Sequence, residues 1–248
     1  MFHSNINLKE GAFLVTDAHY SLLRPHFLEF MKDIDSQKIK PTQLIFMGDI
    51  FDTLLGEVSY TKKQNSELIE LLNSVSQRIE IIYLEGNHDY NLQKIFPNIE
   101  IFSISKQPII ANFKTKKIYL SHGDFNAGFS YKIYSLFIRN SFFLSLLSFI
   151  DSLGSHFILK KLNETFTKKD DCKQLDNFQS YTRKRLNKKY ICDYFIDGHF
   201  HQNQKFTIQN FTYINLGAFA CNQRYFSVKS VNNKELLEEH IFSKGIKK

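Results

Sequence analysis

The stretch IEIIYLEGNHDY (79–90) sets a short apolar run directly against Gly86, Asn87, His88 and Asp89. Its first half is rich in β-branched and aromatic residues and short, so it reads as a buried strand. Gly and Asn suit the turn that must follow, because both tolerate the backbone angles of a tight turn. A turn leaves His88 and Asp89 unexplained. The rest of the chain decides whether they are loop residues or part of a site.

The same arrangement recurs four more times. AFLV (12–15) leads into Thr16-Asp17-Ala18-His19, and QLIFM (43–47) into Gly48-Asp49-Ile50-Phe51-Asp52. KIYL (117–120) leads into Ser121-His122-Gly123-Asp124, and DYFI (193–196) into Asp197-Gly198-His199-Phe200-His201. Between them, FLEFMKDI (27–34) and NSELIELLNSV (65–75) carry helical spacing. Strands alternating with helices place the chain in the α/β class, where the carboxyl ends of the strands share a ligand-binding edge. One Asp-x-His or one Gly-Asp after a strand is ordinary loop chemistry. Here five of the nine histidines fall at these strand ends. The pattern predicts one shared site.

At 248 residues and 43% hydrophobic, the chain can bury a full core, and a single domain over 1–248 is expected. No internal repeat or low-complexity tract marks a linker. The start, MFHSNINLKEGAF (1–13), lacks the basic-then-apolar layout of a signal peptide. Cys172, Cys192 and Cys221 fit no metal spacing and are odd in number, so reduced thiols in a cytoplasmic protein are expected. The net charge of +7 is concentrated: Lys160 to Lys189 holds ten Lys/Arg against four Asp/Glu, an excess of six. Such a segment suits an anionic partner (nucleic acid, a membrane surface or a phosphorylated substrate) or forms a solvated helical face.

The strand-end set comprises Asp17, His19, Asp49, Asn87, His122, His199 and His201. Carboxylate, amide and imidazole donors without thiolate suit Mn²⁺, Fe²⁺ or Zn²⁺. Seven ligands are too many for one ion and suit two that share a carboxylate. Two ions roughly 3.5–4 Å apart are the usual arrangement for in-line attack on phosphorus.

These motifs resemble the calcineurin-like metallophosphoesterases, whose blocks are Asp-x-His, Gly-Asp-x-x-Asp, Gly-Asn-His-Asp, a His before Gly, and Gly-His-x-His. All five stand here in order, from Asp17 to His201. The resemblance implies a four-layer αββα sandwich and two divalent ions, Mn²⁺ first among them. One ion would take Asp17, His19, Asp49 and His201; the other would take Asp49, Asn87, His122 and His199. It further implies that His88 serves the scissile phosphate with Asp89 orienting it.

Within that family, MGDIFDTLLGE (47–57), GNHDYNLQKIF (86–96) and the segment after His122 look like the UDP-2,3-diacylglucosamine pyrophosphohydrolases of lipid A biosynthesis. His88 departs from the Arg common there, and Asp52 from a frequent Glu. That resemblance implies release of UMP and a diacylglucosamine 1-phosphate, with a helical insert at about 126–188. Phe142, Phe143, Leu146, Leu147, Phe149, Ile150 and Leu153 give the insert a wide apolar face. The uncharged run between Arg139 and Asp151 is too short to span a bilayer. Either the face packs on the core or it lies on the inner membrane surface and grips acyl chains. Asp124, Arg139, Lys168 and Lys169 are candidate substrate contacts, and the expected partner is a lipid-linked UDP-sugar rather than nucleic acid. The alternatives are a soluble phosphodiesterase or nuclease with the same metals, and a metal-free scaffold.

Overall fold

The computed structural model describes residues 5–125, 135–167, 170–186, 190–229 and 236–242. In chain order the strands are β1 (Asn5–Asn7), β2 (Phe13–Val15), β3 (Leu44–Phe46), β4 (Leu54–Leu55), β5 (Ile81–Leu84), β6 (Asp89–Tyr90) and β7 (Glu100–Phe102). They continue with β8 (Ile109–Phe113), β9 (Lys116–Ser121), β10 (Tyr194–Asp197), β11 (Gln204–Ile208), β12 (Phe211–Asn215), β13 (Arg224–Val228) and β14 (Leu237–Ile241). The helices are α1 (His26–Asp35), α2 (Ser59–Gln64), α3 (Ser66–Val75), α4 (Ser141–Leu153), α5 (Phe157–Thr167), α6 (Phe178–Arg185) and α7 (Phe219–Asn222).

Two six-stranded sheets result, ordered β1-β8-β9-β10-β12-β11 and β14-β13-β2-β3-β5-β7, with β4 and β6 pairing apart. The apolar runs are continuous because each inner strand is buried on both faces. Side chains alternate along a strand, and the alternation sorts them into layers. Val15, Phe46 and Tyr83 pack towards α1 and α3, whereas Leu14, Ile45 and Ile82 meet Leu120, Ile196 and Ile214 between the sheets. Tyr119, Phe195 and Tyr213 turn the other way, onto Phe178 and Leu186 at α6. The order is helix, sheet, sheet, helix. The expected mixed α/β architecture is present.

Leu14 lies between the sheets with no exposure. Leu14→Ala is expected to destabilise the protein by about 2–5 kcal/mol, lost transfer free energy plus a cavity. Denaturant unfolding with an unchanged m-value would check this.

β2, β3 and β5 are parallel and in register, Val15 beside Phe46 beside Tyr83, so the polar segments after them emerge together. β9 and β10 are parallel too, with Ser121 opposite Asp197, which brings His122 beside Gly198-His199. The convergence read from the sequence follows from these registers.

α4 and α5 lie between β9 and β10 and bend by 103° at their junction. Asn140 caps α4 by accepting the Phe143 N–H at 3.1 Å. Buried Asp151 sets the corner by accepting the Ile158 N–H at 2.7 Å. No single described helix is long and apolar enough to cross a membrane. Leu144 and Leu159 hold the pair to Leu55, Val58 and Tyr90. The predicted apolar face points outward: Phe142 is 77% exposed, Phe149 62% and Leu153 74%. Core packing therefore does not explain that face.

The cysteines require a correction. Cys172 and Cys221 are joined by a disulfide, with Cα atoms 5.6 Å apart, and Cys192 is the free thiol, buried. Spacing could not reveal this, because the segment of Cys172 folds across α7 from 49 residues away.

Candidate metal centre

Five of the seven predicted ligands occupy the left-handed backbone region: Asp17 (φ 49°), His19 (45°), Asp49 (52°), His199 (63°) and His201 (57°). That region is unfavourable for residues with a Cβ, by roughly 1–2 kcal/mol each. Strain of this kind persists where the surroundings enforce it and gathers at functional sites. The enforcement is visible here. Asp17 N–H donates to the Gly48 carbonyl and His19 N–H to the Asp49 carbonyl, both at 3.0 Å. Glycine is required at two contacts. A Cβ on Gly86 would lie 2.1 Å from the Asp49 carboxylate, and one on Gly48 would lie 2.4 Å from the His122 ring.

Two groups form as a result, the first buried and the second buried except for half-buried His199. Asp17, His19 and His201 can present donor atoms within 4.8 Å of one another, and so can Asp49, His122 and His199. In the first, His201 Nε2 is 3.0 Å from Asp17 Oδ1. In the second, His122 Nε2 is 3.4 Å from Asp49 Oδ2 and 3.3 Å from Asn87 Oδ1. A third set, His19, Asp52 and His88, adjoins them, with His19 Nδ1 3.6 Å from Asp52. The structure thus assembles all seven predicted ligands in one place and adds Asp52.

The rings are turned by backbone carbonyls. His122 Nδ1 donates to the Met47 carbonyl at 2.9 Å, and His201 Nδ1 donates to that of Asp171. Each thereby turns Nε2 towards the pocket, the nitrogen a histidine offers to a metal once its proton is displaced. His88 Nδ1 donates to the Asp52 carbonyl at 2.8 Å, leaving Nε2 for a reacting group.

Asp89 was expected to orient His88, and this needs correction. Its carboxylate accepts N–H bonds from Asp49, Ile50, Phe51 and Gly86 and the Tyr83 hydroxyl bond, between 2.6 and 3.2 Å. Asp89 therefore pins the loop of Asp49 to the Gly86 turn, and the Asp52 carbonyl holds His88.

Arg139 donates to the Gly86 carbonyl at 2.6 Å, approaches Glu85 at 3.5 Å and Asp124 at 3.9 Å, and covers Tyr90. It braces the turn that presents Asn87. Lys168 and Lys169 lie outside the described residues. Asp171 is not legible in the sequence, because nothing in its spacing signals a contact with His201.

Both ring nitrogens of His19 are buried without a hydrogen bond. Unpaired buried polar atoms are costly unless something binds them. Carboxylate and imidazole donors clustered around such atoms fit divalent ions.

Burial alone would raise the Asp17 and Asp49 carboxyls, but His201 beside the first and His122, His88 and His19 around the second hold both well below the usual range. Burial would lower His201 and His122, but the Asp17 carboxylate raises His201 to about 9 and Asp49 raises His122 well above its usual range. His199 is pushed down to about 4 by burial and by the His122 charge. The metal-free protein therefore holds protons on His201 and His122 at neutral pH, and an ion must displace them. Metal affinity is expected to rise with pH from neutrality to about 9, by about tenfold per pH unit per displaced proton. Calorimetry in buffers of differing ionisation enthalpy measures the released protons, and pH-independent affinity would contradict the assignment.

A family model described as Calcineurin-like phosphoesterase matches residues 13–203. A UDP-2,3-diacylglucosamine hydrolase from Blochmanniella pennsylvanica (strain BPEN) is 26% identical over 239 residues, covering 89% of this chain and 91% of its own. A protein of the same name from Histophilus somni (strain 129Pt) is 26% identical over 113 residues, 45% of this chain and 48% of that one. That match spans about half of the relative. Among solved structures, the phosphoesterase Yfce from E. coli aligns over 88% of this chain and 87% of its own at 13% identity, with a TM-score of 0.46.

Proposed function

The chain belongs to the calcineurin-like phosphoesterase family, and from that premise we propose that it hydrolyses UDP-2,3-diacylglucosamine to UMP and 2,3-diacylglucosamine 1-phosphate. One observation carries the substrate: Phe166 of α5 lies against His88, ring centroids 4.2 Å apart. The insert that bares an apolar face therefore also reaches the reactive end of the polar site. A substrate with a diphosphate and two acyl chains needs both. The name shared by relatives that align over up to 89% of the chain agrees with this reading.

Asp17, His19, Asp49 and His201 would hold one divalent ion, and Asp49, Asn87, His122 and His199 the other. Bound there, the ions would lower the pKa of water and offset charge on the phosphate oxygens. His88, with Nδ1–H engaged by the Asp52 carbonyl, would serve charge developing on the phosphate from Nε2. Asp89 and Arg139 keep the loops of Asp49 and Asn87 at fixed spacing. Phe166 covers His88 against water.

The outward face of α4 would lie on the membrane that supplies the lipid. Each fully inserted Phe or Leu contributes about 1.5–3 kcal/mol, so Phe142→Glu, Phe149→Glu and Leu153→Glu together should lower turnover on anionic vesicles by roughly a hundredfold or more. Turnover of detergent-dispersed substrate should stay unchanged; an equal loss in both would remove the membrane role.

The substrate is tested by incubating metal-stripped protein with Mn²⁺ and UDP-2,3-diacylglucosamine in detergent and following UMP by mass spectrometry. UMP release that Asn87→Ala abolishes supports the reading. Mn²⁺-dependent cleavage of bis(p-nitrophenyl) phosphate or of RNA, without UMP release, would keep the metal centre and discard the lipid.

A further inference from the structure

Arg185, at the end of α6, is buried beneath the loops that carry His122 and His199. Its Nη1 donates to the Gly123 carbonyl at 2.9 Å, one residue after His122. Its Nη2 donates to the Asp197 carboxylate, two residues before His199. Asp197 also accepts the Tyr213 hydroxyl at 2.6 Å and the Asn215 amide at 2.9 Å. The same amide reaches the Gly198 carbonyl at 2.6 Å, and Gly198 N–H donates to the His122 carbonyl at 2.7 Å. Phe200 flanks the guanidinium, 4.9 Å from its centre, and packs against the His199 ring.

A buried ion pair is a poor source of stability, because desolvating two charges offsets most of their attraction. Apolar side chains could fill the same space. What the guanidinium supplies is direction: a planar fork that engages two acceptors at a fixed angle, which an ammonium cannot do. Those acceptors belong to separate loops, and each loop carries an imidazole of the same cluster. Within the first cluster the ring of His201 is held differently, by the Asp171 carbonyl.

We infer that Arg185 is a positioning residue for the Asp49–His122–His199 pocket, its two-armed bridge setting the spacing at which His122 and His199 share an ion. The inference rests on the metal reading proposed above. Arg185 acts through Gly123 and Asp197. Its position was opaque in the sequence, where it is one cation among ten in a basic segment.

The test titrates the metal-stripped full-length chain with Mn²⁺ alone, counting tight sites by equilibrium dialysis and reading coupling between ions by electron paramagnetic resonance. The unsubstituted protein should bind two ions with a spin-coupled spectrum. In Arg185→Met the ion of the Asp49–His122–His199 pocket should weaken by about 10–100-fold, leaving one tight site and an uncoupled spectrum. Circular dichroism should show a folded chain. Arg185→Lys keeps the charge but reaches one acceptor, so it should fall between the two. Two tight, coupled ions in Arg185→Met, or equal weakening of both sites in a folded chain, would overturn the inference. If Arg185→Met does not fold, Arg185→Lys decides by the same criteria. No Mn²⁺ binding by the unsubstituted protein would sink the metal reading itself, and the inference with it.

Discussion

Asp49→Ala is expected to lower phosphoester turnover by about three to four decades, the equivalent of several kcal/mol of transition-state charge stabilisation. The size follows from position. Asp49 Oδ2 faces His122 Nε2 at 3.4 Å while Oδ1 accepts the His88 backbone N–H at 2.8 Å, so one carboxylate lines a candidate ligand pocket and fixes the backbone of His88. The Asp49 side chain is 3% exposed, and alanine there leaves the His122 ring facing an empty space. Metal stoichiometry should fall in parallel with kcat, and added Mn²⁺ should restore little. Asp49→Asn separates charge from shape: the amide keeps the volume and one acceptor oxygen but removes the negative charge. A similar loss in Asn would assign the effect to charge. Wild-type turnover in either variant would remove Asp49 from the centre.

His88→Ala is the second large effect, about 10²–10³-fold in kcat with both ions still bound. The two substitutions differ in kind. His88 receives its orientation from the Asp52 carbonyl and its cover from Phe166, and it belongs to neither predicted ion set. Removing it should leave KM near its starting value, because a group that acts on charge developed in the transition state contributes little to ground-state binding. His88→Arg supplies a guanidinium donor at that position and should recover part of the loss. A variant that loses Mn²⁺ together with kcat would make His88 a ligand of the third set, His19–Asp52–His88, rather than a donor to substrate.

Much of the site was legible because of how the sheets are covered. A strand buried on both faces leaves an unbroken apolar run, and the first Gly, Asp or His after Val15, Met47, Leu84, Leu120 and Ile196 marks where it meets the ligand-binding edge. Parallel pairing then brings those ends together, so the ligands could be read without knowing the register. The supports were illegible for the opposite reason. Asp171 meets His201 through its backbone carbonyl, and Asp52 meets His88 in the same way. Backbone acceptors are identical at every residue, so no side-chain pattern announces them.

The Cys172–Cys221 bond and the Arg185 bridge depend on how a loop and α6 return to the core, and neither has a periodic signature. The outward face of α4 lay between these cases. Periodicity showed an apolar stripe, but only the packing of Leu144 and Leu159 on Tyr90 shows which side is covered. Short or peripheral strands such as β1, β4, β6 and β11 left no apolar run to read.

The most direct test of the account runs the hydrolysis of UDP-2,3-diacylglucosamine in water enriched in oxygen-18. The products are separated and the label is located by mass spectrometry. Attack on the α-phosphorus, with the diacylglucosamine phosphate as leaving group, places the heavy oxygen in UMP. Label in the diacylglucosamine 1-phosphate instead, or no products while the centre carries both ions, would contradict it.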